Sequence, residues 1–180
     1  MKYNINMDRR KSAAKTGLDS TNFSTLKPTL ESDEGPYYKT GSPERTMLFE
    51  EGIRGDKLTL TGYVRNINSQ PVSHAWLDFW QADGRGEYDN SGYTLRGHQY
   101  TDKSGKYLLE TIVPGAYVSR TPHLHVKVRG KDGSPILTTQ LFIPGIASNK
   151  ADFLYRDDLQ IDMKDAPVGK TATFNFVIKE

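Results

Sequence analysis

The chain contains no cysteine. That absence removes disulfide support, thiolate metal sites and cysteine nucleophiles together. No apolar run is long enough to cross a bilayer, and the N-terminus lacks the apolar core of a signal peptide, so the chain as given reads as soluble. A cytoplasmic protein is expected, with a mature secreted protein already freed of its signal as the alternative. Charge of one sign is also scarce: 24 basic against 22 acidic residues leave +2, too near balance to suggest a nucleic-acid or membrane partner. What excess exists is local. Residues 1–30 hold Lys2, Arg9, Arg10, Lys11, Lys15 and Lys27 against Asp8 and Asp19, six minus two, or +4, leaving −2 elsewhere. With its Ser, Thr and Asn content and no hydrophobic period, that stretch reads as a solvated tail. There is no internal repeat and no convincing helical period, the best candidate being a turn or two within residues 151–159. Histidine is limited to His74, His98, His123 and His125.

What the chain has is the alternation of short strands. With 180 residues and a hydrophobic fraction of 36%, one core of ordinary size can be buried, so a single domain is expected. Residues 57–65 alternate, residues 66–71 carry turn chemistry, and residues 75–81 form an aromatic-rich strand. Lys103-Ser-Gly105 separates a strand ending near Asp102 from residues 106–113, the spacing of a hairpin with a glycine turn. Asp132-Gly133 does the same before residues 136–143. Near the C-terminus Ala172, Phe174, Phe176 and Ile178 alternate inward against Thr173, Asn175 and Lys179. The fold class is therefore all-β, a β-sandwich of mainly antiparallel strands with long loops and an irregular N-terminal extension.

One short stretch carries unusual chemistry. Residues 114–125 pack Tyr117, Arg120, His123 and His125 close together. Leu124, Val126 and Val128 alternate with His123, His125, Lys127 and Arg129, and alternate side chains of a strand share a face. Both imidazoles thus point the same way off a strand whose other face is apolar. Two such imidazoles can share one metal ion. Alone, such a pair is more often a solvated polar face, and a tyrosine like Tyr117 is usually a half-buried packing residue.

A second segment, Ala75-Trp-Leu-Asp-Phe-Trp80-Gln-Ala-Asp-Gly84-Arg-Gly86-Glu-Tyr88-Asp, runs a strand into a glycine-rich loop bearing a tyrosine. With it the chain resembles the intradiol ring-cleavage dioxygenases, in the compact single-domain form related to protocatechuate 3,4-dioxygenase and catechol 1,2-dioxygenase. The resemblance runs from Glu34-Gly-Pro-Tyr-Tyr38 through Arg96-Gly-His98, Thr101-Asp102, residues 111–117 and Arg120-Thr-Pro-His-Leu-His125 to Thr138-Thr-Gln-Leu-Phe142. It implies an N-terminal extension over residues 1–33 and a catalytic sandwich over residues 34–180.

By resemblance, Tyr88, Tyr117, His123 and His125 are the ligands of an iron(III) ion. Two phenolates and two neutral imidazoles favour the ferric state. The resemblance further implies that Tyr117 is the ligand that departs to accept a proton, and that Arg120 stands beside the substrate ring. Gln140 is placed behind the metal, and Tyr37 or Tyr38 at the substrate entrance. Trp80 and Gln81 read as packing, and His74 and His98 as scaffold. The implied reaction opens a catecholic ring between its two hydroxyls with O2, giving a cis,cis-muconate-type diacid.

Half of the motif also occurs in noncatalytic sandwich modules of the transthyretin-like and adhesin kinds, here Pro71 to Ala75, Thr101 to Tyr107 and Pro114 to Tyr117. A binding module is therefore the alternative. Tyr88, Arg120, His123, His125 and Gln140 together are what such a module has no reason to hold. Candidate cations for a carboxylated substrate are Lys39, Arg54 and Arg85, among which no spacing rule selects. One chain supplies every implied ligand, which leaves a homo-oligomer open.

Overall fold

The structure, a computed structural model, describes residues 25–131 and 133–180. Most of the basic tail, residues 1–24, and Asp132 of the second turn lie outside the described residues. Among the described residues nine strands are formed: β1 Lys57–Asn66, β2 Trp76–Gln81, β3 Arg96–Tyr100, β4 Lys106–Ile112, β5 His123–Arg129, β6 Leu137–Phe142, β7 Asp162–Asp165, β8 Lys170–Thr173 and β9 Phe176–Ile178. Where a turn or two of helix is expected, two short 3-10 segments occur, Ala147–Ala151 and Asp157–Leu159.

The strands make two sheets. One has the order β4-β1-β8-β7, with β9 also on β1, and the other the order β3-β2-β5-β6. The four-stranded sheet is antiparallel throughout. In the other, β8 and β9 both run parallel to β1. The C-terminal alternation thus spans two short strands, and Ala172, Phe176 and Ile178 are buried. Between β8 and β9 the chain passes close to β1, where a Cβ on Gly62 would lie 1.7 Å from the Phe174 carbonyl.

Strand alternation builds the core. Leu58, Leu60 and Val64 of β1, Leu77 and Phe79 of β2, Leu109 of β4 and Leu124, Val126 and Val128 of β5 all face inward and are buried. The Gly105 turn forms as expected, with φ of 78°, and Asp102 accepts bonds from the Ser104 and Lys106 amides across it.

The other face of the four-stranded sheet is not left to solvent. Residues 25–45 run along the sandwich, held by Leu26 N to Ile67 O, Thr29 N to Val177 O and Ser32 N to Thr138 O. Glu34 then pairs with Lys127 at 2.5 Å. Loops from residues 83–95 and 114–122 complete the cover. β5 is consequently buried on both faces at its N-terminal end, where His123 and His125 are 2% and 1% exposed.

Candidate active site

Pairing register sets the floor of the site. Arg96 of β3 lies opposite Trp80 of β2, Trp80 opposite His125 of β5, and His125 opposite Gln140 of β6. One row therefore crosses all four strands on the outer face. Trp80 stacks on the His125 imidazole, centroids 4.8 Å apart and planes within 8°. Gly35 closes the other side, since a Cβ there would meet His125 Cε1 at 3.5 Å. Gln81, one residue on, points inward to accept from Thr111 and donate to the Ile112 carbonyl.

The two imidazoles converge as their alternation predicts, Nε2 to Nε2 at 3.0 Å. His123 Nδ1 lies 2.6 Å from the Thr121 carbonyl. A carbonyl only accepts, so Nδ1 carries the proton and the Nε2 lone pair is free. Burial lowers the pKa of His123 to about 4, with Arg120 acting in the same direction and the Thr121 bond against it. Burial, then the neighbouring His123, holds His125 well below the ordinary imidazole value. Both are neutral at pH 7, the state in which imidazole donates to a metal.

Two phenols complete the cluster. Tyr88 arrives on the Gly84–Gly86 loop after β2, and Tyr117 on the loop before β5. The loops interlock through glycine: a Cβ on Gly86 would lie 2.0 Å from the Ala116 carbonyl, and one on Gly115 2.7 Å from Gly86 N. Ring centroids are 5.4 Å apart for Tyr88 and Tyr117, 6.3 Å for Tyr88 and His125, and 5.8 Å for Tyr117 and His123. Burial raises both phenol pKa values. The Tyr117 ring adds to the rise at Tyr88, whereas the Arg120 guanidinium opposes it at both.

The polar inventory fits a metal ion at this point. The Tyr88 hydroxyl is buried without a hydrogen-bond partner among the described residues, and so is His125 Nδ1. A buried hydroxyl left bare is uncommon and calls for a ligand or strain to explain it. The available donors are two imidazole nitrogens and two phenol oxygens, with no group of three His, Cys, Asp or Glu among the described residues. Hard oxygen donors with imidazole suit iron.

Tyr37 and Tyr38 separate. Tyr37 stacks on Tyr88 at 4.4 Å and meets Tyr117 edge-on at 5.7 Å, roofing the cluster. Tyr38 instead packs on Trp80, donates to Asp78 at 3.0 Å and lies under the Lys127 ammonium. Arg120 is 9% exposed. Its Nε donates to both carboxylate oxygens of Asp152, at 3.1 and 2.9 Å, and its Nη2 to Gln140 Oε1 at 2.5 Å. Gln140 donates in turn to the Asp33 carbonyl at 2.7 Å. Gln140 therefore holds Arg120 directly.

Sequence reasoning missed Asp152 and Arg96. Arg96 is buried, and its guanidinium donates to the Asp89 and Tyr37 carbonyls beside the Tyr88 ring. No local pattern marks Asp152, and Arg96 stands in the Arg96-Gly-His98 motif, which reads as scaffold. His74 and His98 lie apart from the cluster, stacked or edged against Tyr100. Of the three candidate cations, Arg54 and Arg85 line a cleft of ≈ 380 Å³ together with Tyr88. Lys39 is occupied by the Ser91 and Gly92 carbonyls and the Tyr93 ring.

A two-sheet sandwich carrying paired imidazoles and paired phenols on one outer face is what the resemblance to ring-cleaving dioxygenases implies, and comparison with known proteins shows the same family. Residues 33–179 match a family model described as Dioxygenase. The chain belongs to the intradiol ring-cleavage dioxygenase family. It is similar to the dioxygenase domain of a dioxygenase carbohydrate-binding protein fusion from Streptomyces sp. SirexAA-E. Identity is 44% and the TM-score 0.82, over 85% of this chain and 99% of that one. The 3-chlorocatechol 1,2-dioxygenase of Rhodococcus opacus 1CP is 26% identical, with a TM-score of 0.77 over 84% and 72% of the two chains. Catechol 1,2-dioxygenase from Acinetobacter baylyi is 28% identical over 160 residues, 72% of this chain and 51% of that protein. The chain spans about half the length of the curated relatives it matches.

Proposed function

We propose that this chain is a non-haem iron(III) dioxygenase that opens catechol-type rings between their two hydroxyls, placing both atoms of O2 in a cis,cis-muconate-type diacid. The observation that carries the reading is the convergence of His123 and His125 Nε2, 3.0 Å apart, with Tyr88 and Tyr117 on one buried patch. Tyr88, Tyr117, His123 and His125 would hold the iron, whose Lewis acidity lowers the pKa of catechol hydroxyls so that the diol binds as an anion.

The protein groups then divide the remaining work. Thr121 O fixes the His123 tautomer and Trp80 fixes the plane of His125, so the donors are ordered before any metal arrives. Tyr117, beside the Arg120 guanidinium, would be held by the iron as a phenolate, and its Oη would then be the base that takes a proton from the incoming substrate. Tyr37 roofs the patch and limits water. Arg120 is a fixed cation at the edge of the pocket, placed to stabilise negative charge developing on the ring. Every one of these groups comes from one chain, so the site needs no second copy for its donors. The substrate is drawn from catechol, protocatechuate and their hydroxylated or alkylated relatives.

The test is to load purified protein with iron, measure bound metal and the visible tyrosinate-to-iron band, and follow O2 uptake. Catechol, 4-methylcatechol, protocatechuate and hydroxyquinol form the panel. One O2 consumed per ring, with both atoms in an acyclic diacid, is the expected result. A yellow semialdehyde product would overturn it, since extradiol cleavage runs on a ferrous two-histidine, one-carboxylate site. Protein that takes up no iron would return the chain to the binding-module alternative.

A further inference from the structure

We propose that Asp152 is a positioning residue for this reaction: it anchors one edge of the Arg120 guanidinium and thereby aims the rest of that group at the ring cluster. The inference rests on the function proposed above and deepens it.

Four bonds converge on the Asp152 carboxylate. Arg120 Nε donates to both oxygens, Thr121 N donates to Oδ2 at 2.9 Å, and Leu154 N donates to Oδ1 at 3.0 Å. Asp152 is 5% exposed. Burial pushes its carboxyl up, and the Leu154, Thr121 and Arg120 bonds more than offset that, leaving it below the ordinary range. The carboxylate is itself held rigid. It follows the 3-10 segment Ala147–Ala151, whose Asn149 donates to the Ile143 carbonyl and accepts from the Thr121 hydroxyl. Carboxylate, segment and the loop before β5 thus form one bonded unit.

The geometry at Arg120 is divided by edge. Asp152 takes Nε and Gln140 takes Nη2, while the guanidinium stays near enough to the Tyr117 phenol to oppose the rise of its pKa. A guanidinium is planar, so fixing Nε and Nη2 leaves it no rotation about its own axis. With Gln140 alone it would pivot about a single bond. Two effects then compete if Asp152 loses its charge. The arginine would present more uncompensated positive charge to the substrate, which favours turnover, but it would lose its orientation. Misplacement of a catalytic group by about 1 Å can cost about a hundredfold, and a freed side chain also admits water that screens its charge. Orientation therefore decides the outcome.

The variant is Asp152→Asn, which keeps the shape and an acceptor oxygen for one of the two backbone amides. Iron content and the visible band should match the parental protein and KM for catechol should change little, while kcat falls by about ten- to a hundredfold. A merely structural role would instead lower metal content and the visible band along with activity; melting temperature falls in either case, because the variant breaks a buried ion pair. Chemical rescue gives an independent arm: millimolar guanidinium should partly restore Arg120→Ala, where Asp152 can still seat it, and should not restore Arg120→Ala/Asp152→Asn. Equal rescue of both would overturn the anchor.

Should Asp152→Asn fail to fold, hydrogen exchange of the Arg120 Nε–H in the 15N-labelled parental protein still reads the anchor. Slow exchange supports it, and exchange as fast as that of an exposed arginine overturns it. An active parental protein with unaltered Asp152→Asn turnover overturns the inference alone. A parental protein inert to the whole catechol panel overturns the function it rests on, and this inference with it.

Discussion

At the Tyr88 hydroxyl a buried polar atom has no partner among the described residues, a condition that stabilises nothing in the metal-free protein. Replacing Tyr88 by Phe removes that oxygen and creates no new orphan. Metal-free Tyr88→Phe should therefore match or exceed the parental stability, by up to about 1 kcal/mol, because an unsatisfied buried group is itself unfavourable. Iron affinity and visible colour should fall, which a melting curve and a metal assay read separately. Full colour and turnover would remove Tyr88 from the donor set. Arg120 behaves oppositely. Arg120→Gln strands the buried Asp152 carboxylate, so stability should drop by about 3 kcal/mol and turnover by roughly a hundredfold. Adding Asp152→Asn should recover much of the stability and none of the turnover, checked by urea titration beside steady-state rates.

Elements matter here through the fit of two loops. The loop after β2 and the loop before β5 each deliver one phenol, and they touch where Gly86, at φ of 87°, faces the Ala116 carbonyl. An alanine there is strained by its backbone and blocked by that oxygen. Gly86→Ala should push the loops apart and lower iron stoichiometry, while far-ultraviolet circular dichroism keeps the sheet signal. Loss of the sheet signal would show that the loops are part of the core. Gly62→Ala is the contrast, because its Cβ would meet the Phe174 carbonyl where β1, β8 and β9 join, and that change should unfold the sandwich.

For the whole molecule, two neutral imidazoles buried beneath loops make the metal-free protein sensitive to acid. His123 has a pKa of about 4 when folded against an ordinary 6.5, so below pH 6.5 the unfolded chain binds a proton that the folded one refuses. Stability is then complete above pH 6.5 and falls as pH drops toward 4, by about 3 kcal/mol for this residue. His125 acts in the same direction. Asp78, raised by burial, opposes them. Urea midpoints of metal-free protein at pH 7 and pH 5 should differ accordingly, and His123→Asn should flatten the difference.

The sequence by itself determined what depends on neighbours along the chain. Period-two alternation placed His123 and His125 on one face of β5, glycine with turn residues closed the hairpin at Gly105, and inward alternation marked the core strands. Spacing also brought Tyr88, Tyr117, Arg120 and Gln140 into view through the family resemblance. Tertiary structure decided everything that needs a distant backbone. The Arg96, Trp80, His125 and Gln140 row exists only in the strand register, and the parallel docking of β8 and β9 on β1 has no local signature. The same holds for Tyr37 against Tyr38: adjacent tyrosines of one motif go to different surroundings, which no local feature distinguishes. Asp152 is the clearest case. It stands 32 residues from Arg120, and a carboxylate after a short 3-10 turn looks like any solvated acid until the fold buries it against a guanidinium, because pairing of charges is a property of space and not of spacing.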